Sequence, residues 1–175
     1  MGVSDKNSNI MGTKSTPRTL WPRANVNSNY KKKAHTAEQL DLWARQKALK
    51  SVGNVLTDLG DHVTRLGDDV ILINTEVYKP DGDEIVLKIV QDKNGEPQQM
   101  VIKEQGTYLW EYIIAQDYPI ETRRKISQMA REASSEKCAF SFDGKNIFVT
   151  GNKEDIVKMK WDLIGVLNKI YDEGE

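Results

Sequence analysis

The sequence predicts an α+β protein: a long N-terminal helix plus three further helices packed on an antiparallel sheet of hairpin and meander strands, preceded by an extended basic arm. Three observations lead there. Residues 49–71 carry a seven-residue repeat, Val52-Gly53-Asn54, Leu59-Gly60-Asp61 and Leu66-Gly67-Asp68, set in the three-and-four apolar spacing of a packed helix. Residues 70–103 change to a period of two between turn residues. Residues 1–36 show neither period and are rich in Ser, Asn, Thr, Lys and Gly, the composition of a segment with too little apolar surface to fold alone. The expected organisation is a flexible arm over 1–36, a heptad-patterned helix over 37–67 and an α+β body over 68–175.

Charge divides along the same line. The arm holds Lys6, Lys14, Arg18, Arg23, Lys31, Lys32 and Lys33 against Asp5 alone, so it carries +6. The remaining residues hold 18 basic and 25 acidic side chains, so they carry −7 within a chain total of −1. A basic arm on an acidic body points to an anionic partner for the arm. Trp21 and Tyr30 are unusual in a solvating tail and suit stacking on unpaired bases or packing into a partner's groove.

Thr36 with Gln39 forms a capping-box pattern that starts the helix near Ala37. The seam Leu42, Leu49, Val52, Leu56, Leu59, Val63 and Leu66 carries it to about Leu66, with Gly67 as the residue past its end. Gly53 and Gly60 each cost about 1 kcal/mol against alanine in a helix interior. Seven residues apart on one stripe, they suit a close approach of another backbone; a break near Gly60 is the competing reading. Left exposed, Leu49, Val52, Leu56, Leu59 and Val63 would make a homo-oligomer interface; covered by the chain's own sheet, they would not.

Strands follow at 70–78, 84–90 and 99–103, joined by the turns Pro80-Asp81-Gly82 and Asn94-Gly95. Their inward residues are Ile85, Leu87, Ile89, Met100 and Ile102. Helices are expected at 108–115 and 121–134, the second with Ile126, Met129, Ala130 and Ala133 inward and Arg123, Arg124, Lys125 and Arg131 outward. Cys138, Phe140 and Phe142 alternate as a strand, Asp143-Gly144 turns, and 146–150 returns. Asn152 caps a last helix over 153–171. One face of it holds Ile156, Met159, Leu163, Leu167 and Ile170. A second stripe, Val157, Trp161 and Ile164, implies burial on two sides, within the fold or against a partner.

Catalytic chemistry finds little support. His35 and His62 have no Ser/Asp or Cys partner in spacing. Cys138 is the one cysteine, so no internal disulfide forms, and its alternation with phenylalanines marks it as a core residue. No Cys/His cluster has zinc spacing, and the acidic turns at 81–84 and 92–96 lack the ligand number of a calcium loop. No phosphate loop is present; Gly151 before a helix start reads as a strand-to-helix turn rather than an anion site. No catalytic residue, metal or cofactor is expected. The apolar run Val70 to Ile73 is far short of a membrane span and the first residues are polar, so a soluble, cytoplasmic protein is expected.

The run Asn146-Ile147-Phe148-Val149-Thr150-Gly151, followed by a helix from Lys153, is similar to the last strand and helix of a KH RNA-binding module, and the helix–strand–strand–helix order of 121–171 fits that module. Its gripping Gly-x-x-Gly loop has no counterpart, since Tyr118-Pro119-Ile120-Glu121 contains no glycine. No residue role is carried over from the resemblance.

The function these observations imply is non-enzymatic association with RNA or DNA. Lys14, Arg18, Arg23, Lys31, Lys32 and Lys33 would neutralise phosphates, Trp21 and Tyr30 would anchor, and Arg123, Arg124 and Lys125 form a second basic patch. The alternative is a structural or adaptor subunit of a virus particle or multi-subunit machine, with the arm lying along a protein neighbour and Val157, Trp161 and Ile164 at the interface.

Overall fold

The computed structural model describes residues 35–116 and 118–174, and the chain divides into two units, Met1–Leu40 and Asp41–Glu175. In the first, the described stretch is the start of helix α1 (Ala37–Asp58). The capping box forms as the sequence predicts: Gln39 N–H donates to Thr36 Oγ1 at 3.1 Å and Thr36 N–H to Gln39 Oε1 at 3.0 Å.

Within the second unit α1 stops at Asp58, well short of Leu66. Gly60 takes φ +96°, Gly60 N–H donates to Thr57 O and Asp61 N–H to Leu56 O, both at 3.0 Å. This paired closure satisfies the last helical carbonyls and needs a left-handed residue at Gly60. The expectation of a helix through Leu66, capped by Gly67, is therefore corrected. Residues His62–Leu66 form strand β1, and Gly67, at φ +66°, turns the chain into β2 (Val70–Tyr78). The seven-residue repeat reflects two turns with a strand between them.

Strands β3 (Glu84–Gln91) and β4 (Gln99–Glu104) complete the meander. A π-helical turn over Leu109–Ile114 replaces the short helix expected there, with Ala115 N–H donating to Trp110 O at 2.9 Å. Helix α2 (Pro119–Ala133) begins with proline at its first position, where no backbone donor is required. Strands β5 (Ala139–Phe142) and β6 (Ile147–Asn152) form a hairpin. Asn152 Oδ1 accepts Glu154 N–H at 2.9 Å and caps a 3₁₀ turn that leads into α3 (Ile156–Gly174).

The six strands make one antiparallel sheet in the order β1-β2-β3-β4-β6-β5, so the α+β class holds. Register places Arg65, Ile71, Ile89, Ile102, Val149 and Phe140 in a row across one face. Five of the six are core residues, packed with Leu49, Val52 and Leu56 of α1, Ile126 and Ala130 of α2, and Ile156, Met159, Leu163 and Leu167 of α3. The sixth, Arg65, is an exposed charge on the edge strand whose guanidinium lies over Gly53 of α1, and a charge on an edge strand discourages edge-to-edge pairing. The opposite face carries the row Thr64, Leu72, Lys88, Lys103, Phe148 and Ser141. No helix among the described residues is long and apolar enough to cross a membrane.

Candidate nucleic-acid interface

Lys14, Arg18, Trp21, Arg23, Tyr30, Lys31, Lys32 and Lys33 lie outside the described residues. The second basic patch is described. Arg123, near the start of α2, stacks its guanidinium 5.3 Å from the Trp110 ring centre and donates from Nε to Gly144 O at 3.3 Å. Lys145, in the β5–β6 turn, reaches the same ring at 4.9 Å. Arg123 is thus a clamp between α2, the π-helical turn and the hairpin turn, whereas Arg124 and Lys125 point to solvent. Lys145 joins this patch without any mark in the sequence; a lysine beside an Asp-Gly turn carries no periodic signal of its own.

A second cationic place lies on the open sheet face, where Lys103 Nζ sits 5.6 Å from the Phe148 ring centre. A third is a cavity of about 520 Å³ between α1 and the β1–β2 hairpin, lined by Trp43, Lys47, Lys50 and Arg65 above Leu49 and Val70. Trp43 is 46% exposed. Sequence reading misses this group because Trp43, Lys47 and Lys50 lie off the apolar seam, and Arg65 falls within the span predicted to be helical.

The proposed interface seam resolves differently along its length. Leu49, Val52 and Leu56 are buried in the chain's own core, which removes them from any partner surface. Leu59 follows the helix and is exposed, and Val63 is half-buried in β1. On α3, Ile164 is also core, while Val157 and Trp161 face outward, Trp161 at 53% exposure. Trp161 lines a shallow groove with Lys158, Gly165 and Lys169, and Lys160 Nζ lies 4.2 Å from its ring centre.

Several titratable groups are paired or buried within the fold. His62 Nε2 in β1 meets Glu76 Oε2 in β2 at 3.0 Å, both side chains exposed. Glu84 accepts Asn74 Nδ2 at 3.0 Å and the Glu76 N–H at 2.6 Å, beside a bulge that puts Glu76 at φ +60°. These bonds hold its carboxyl below the usual carboxylate range, the Asn74 bond most of all. Cys138 is buried, and burial pushes its thiol up, which supports packing rather than nucleophilic use. Gly151 lies in β6, where an added Cβ would stand 2.5 Å from Lys137 O and 2.9 Å from Met159 Sδ; close packing accounts for this glycine.

One buried polar centre among the described residues is Glu104. Tyr171 donates its hydroxyl to Glu104 Oε1, and Lys79 Nζ stands 3.6 Å from Oε2, an ion pair beyond hydrogen-bond length. Burial raises the Glu104 carboxyl and the Tyr171 hydroxyl above their ordinary values. Tyr108 packs edge-on against Tyr171 at 5.0 Å and beneath Lys79, also at 5.0 Å. Comparison of the chain with models of protein families, with curated proteins and with solved structures finds no match in any of the three.

Proposed function

We propose that the chain is a non-enzymatic nucleic-acid-associated binding protein that contacts phosphates through its basic N-terminal arm. The observation that carries the reading is the division of charge, +6 over residues 1–36 and −7 over the rest. An acidic body repels a polyanion, so the arm supplies the attraction, and counterion release makes that attraction sensitive to salt. The outward-pointing Arg124 and Lys125, beside the Trp110–Arg123–Lys145 clamp, offer a local basic surface for the following phosphates. Titration of the full chain against single- and double-stranded DNA and RNA at low and moderate salt tests the reading. Affinity should fall as salt rises; binding indifferent to salt would contradict it.

A structural or adaptor role in a larger assembly is the second reading. The outward Trp161 and Val157 on α3 favour it, because a large apolar side chain beside a glycine groove suits a protein neighbour. Trp161→Glu would then abolish assembly and leave the monomer folded, as read by light scattering and circular dichroism.

A further inference from the structure

The cavity between α1 and the β1–β2 hairpin is out of step with the body around it. Its ionisable lining is Lys47, Lys50 and Arg65 against Asp68 alone, in a body that carries −7. Its volume of about 520 Å³ falls in the range of small-ligand sites. Trp43 supplies an aromatic surface at one side, and Leu49 and Val70 an apolar floor.

The arginine is set in place before any ligand arrives. Its guanidinium lies over Gly53, with Nη1 and Nη2 each 2.9 Å from where a Cβ at that position would stand. Nη2 donates to Asn54 Oδ1 at 2.8 Å and to Lys50 O at 3.5 Å. Nε and Nη1 have no protein acceptor among the described residues, and Lys47 and Lys50 make no ion pair there. A preorganised fork with donors left open and two ammonium groups left unpaired among the described residues, together with an indole face, are the parts that recognise an aromatic ring carrying a phosphate.

We propose that this cavity holds one nucleotide of a single-stranded nucleic acid, its base stacked on Trp43 and its phosphate held by Lys47, Lys50 and Arg65. The assignment rests on the nucleic-acid reading above and deepens it: the arm supplies attraction to any phosphate backbone, and the cavity supplies a preference for unpaired strands. A base inside a duplex is already stacked and cannot enter without being flipped out.

The test uses the full chain and a fluorescein-labelled oligothymidylate, a duplex of equal length and free thymidine monophosphate as competitor. Trp43→Ala should weaken single-strand binding by about fivefold to a hundredfold, the range for loss of one base–aromatic stack. Duplex affinity should stay unchanged, and Trp43→Phe should restore most of the loss. Lys47→Gln/Lys50→Gln should lower single-strand affinity and reduce its salt slope by about 0.7 for each phosphate no longer neutralised; this variant carries the test if Trp43→Ala melts early. An arm variant, Lys31→Gln/Lys32→Gln/Lys33→Gln, should weaken strand and duplex binding together. Pocket variants that bind single strands like wild type overturn the cavity assignment and leave the arm reading standing. Monophosphate that competes as well as the oligonucleotide overturns the strand assignment in favour of a free nucleotide. A wild-type protein that binds neither strand nor duplex overturns both readings.

Discussion

The Arg65 guanidinium occupies the place that a side chain at Gly53 would need. The glycine stands in the middle of α1, where it costs about 1 kcal/mol of helix propensity, and the cost has a visible counterpart in the seated arginine. Gly53→Ala should recover that propensity while pushing aside the flexible end of Arg65 and weakening its bond to Asn54, worth about 0.5–1.5 kcal/mol. The net change in stability should be close to zero. In an Arg65→Ala background the same substitution should stabilise by about 1 kcal/mol. Denaturant melts of the four proteins in this cycle separate the terms.

Glu104 makes stability depend on pH. Its carboxyl lies above the ordinary value of 4.5 because burial disfavours the charged form. A group raised on folding contributes stability below its unfolded value and loses it as pH rises through its folded value. Thermal melting should therefore show a contribution that declines from about pH 4.5 upward. Glu104→Gln keeps an acceptor for Tyr171 and should flatten this part of the profile. An unchanged profile in Glu104→Gln would contradict the assignment.

Lys160 on α3, only 4% exposed, pairs with the half-buried Asp61 after α1 at 2.7 Å. Asp61→Ala leaves the ammonium buried without its partner and should cost about 3–5 kcal/mol. Lys160→Met combined with Asp61→Ala should recover most of that loss, since an apolar chain of similar length needs no counter-charge. Chemical denaturation of the two variants against wild type checks both statements.

Gly151 tolerates no side chain. An alanine there would press its Cβ into the Lys137 carbonyl, and backbone yields less than a side-chain end. Gly151→Ala should destabilise by about 1–3 kcal/mol, in contrast to the near-neutral Gly53→Ala. Equal effects at the two positions would show that the β5–β6 region adjusts more freely than its packing implies.

The meander was legible because Ile85, Leu87, Ile89, Met100 and Ile102 alternate, and all five face the core. The last helix was legible for the same reason at helical spacing, from Ile156 through Ile170. The reading failed at 59–66, where Leu59, Val63 and Leu66 continue a heptad by coincidence. Gly60 and Gly67 repeat at helical spacing but act as turn residues at positive φ. Local spacing does not tell a helix stripe from a five-residue strand between two turns. It also did not separate Ile164, which reaches the core, from Val157 and Trp161, which do not. The Trp43 cavity was illegible because it joins α1 to β1 and β2 through tertiary packing, and Lys145 entered the basic patch only through the position of its hairpin turn.

The central claim is that the arm drives association with nucleic acid. The most direct measurement is the logarithm of the binding constant against the logarithm of salt concentration, for the full chain and for Lys31→Gln/Lys32→Gln/Lys33→Gln. Wild type should give a steep negative slope, and the variant a shallower one, by about 0.7 to 0.9 for each phosphate that the variant no longer neutralises. A flat wild-type line, or identical slopes for the two proteins, would contradict the claim and leave the assembly role on α3 as the better reading.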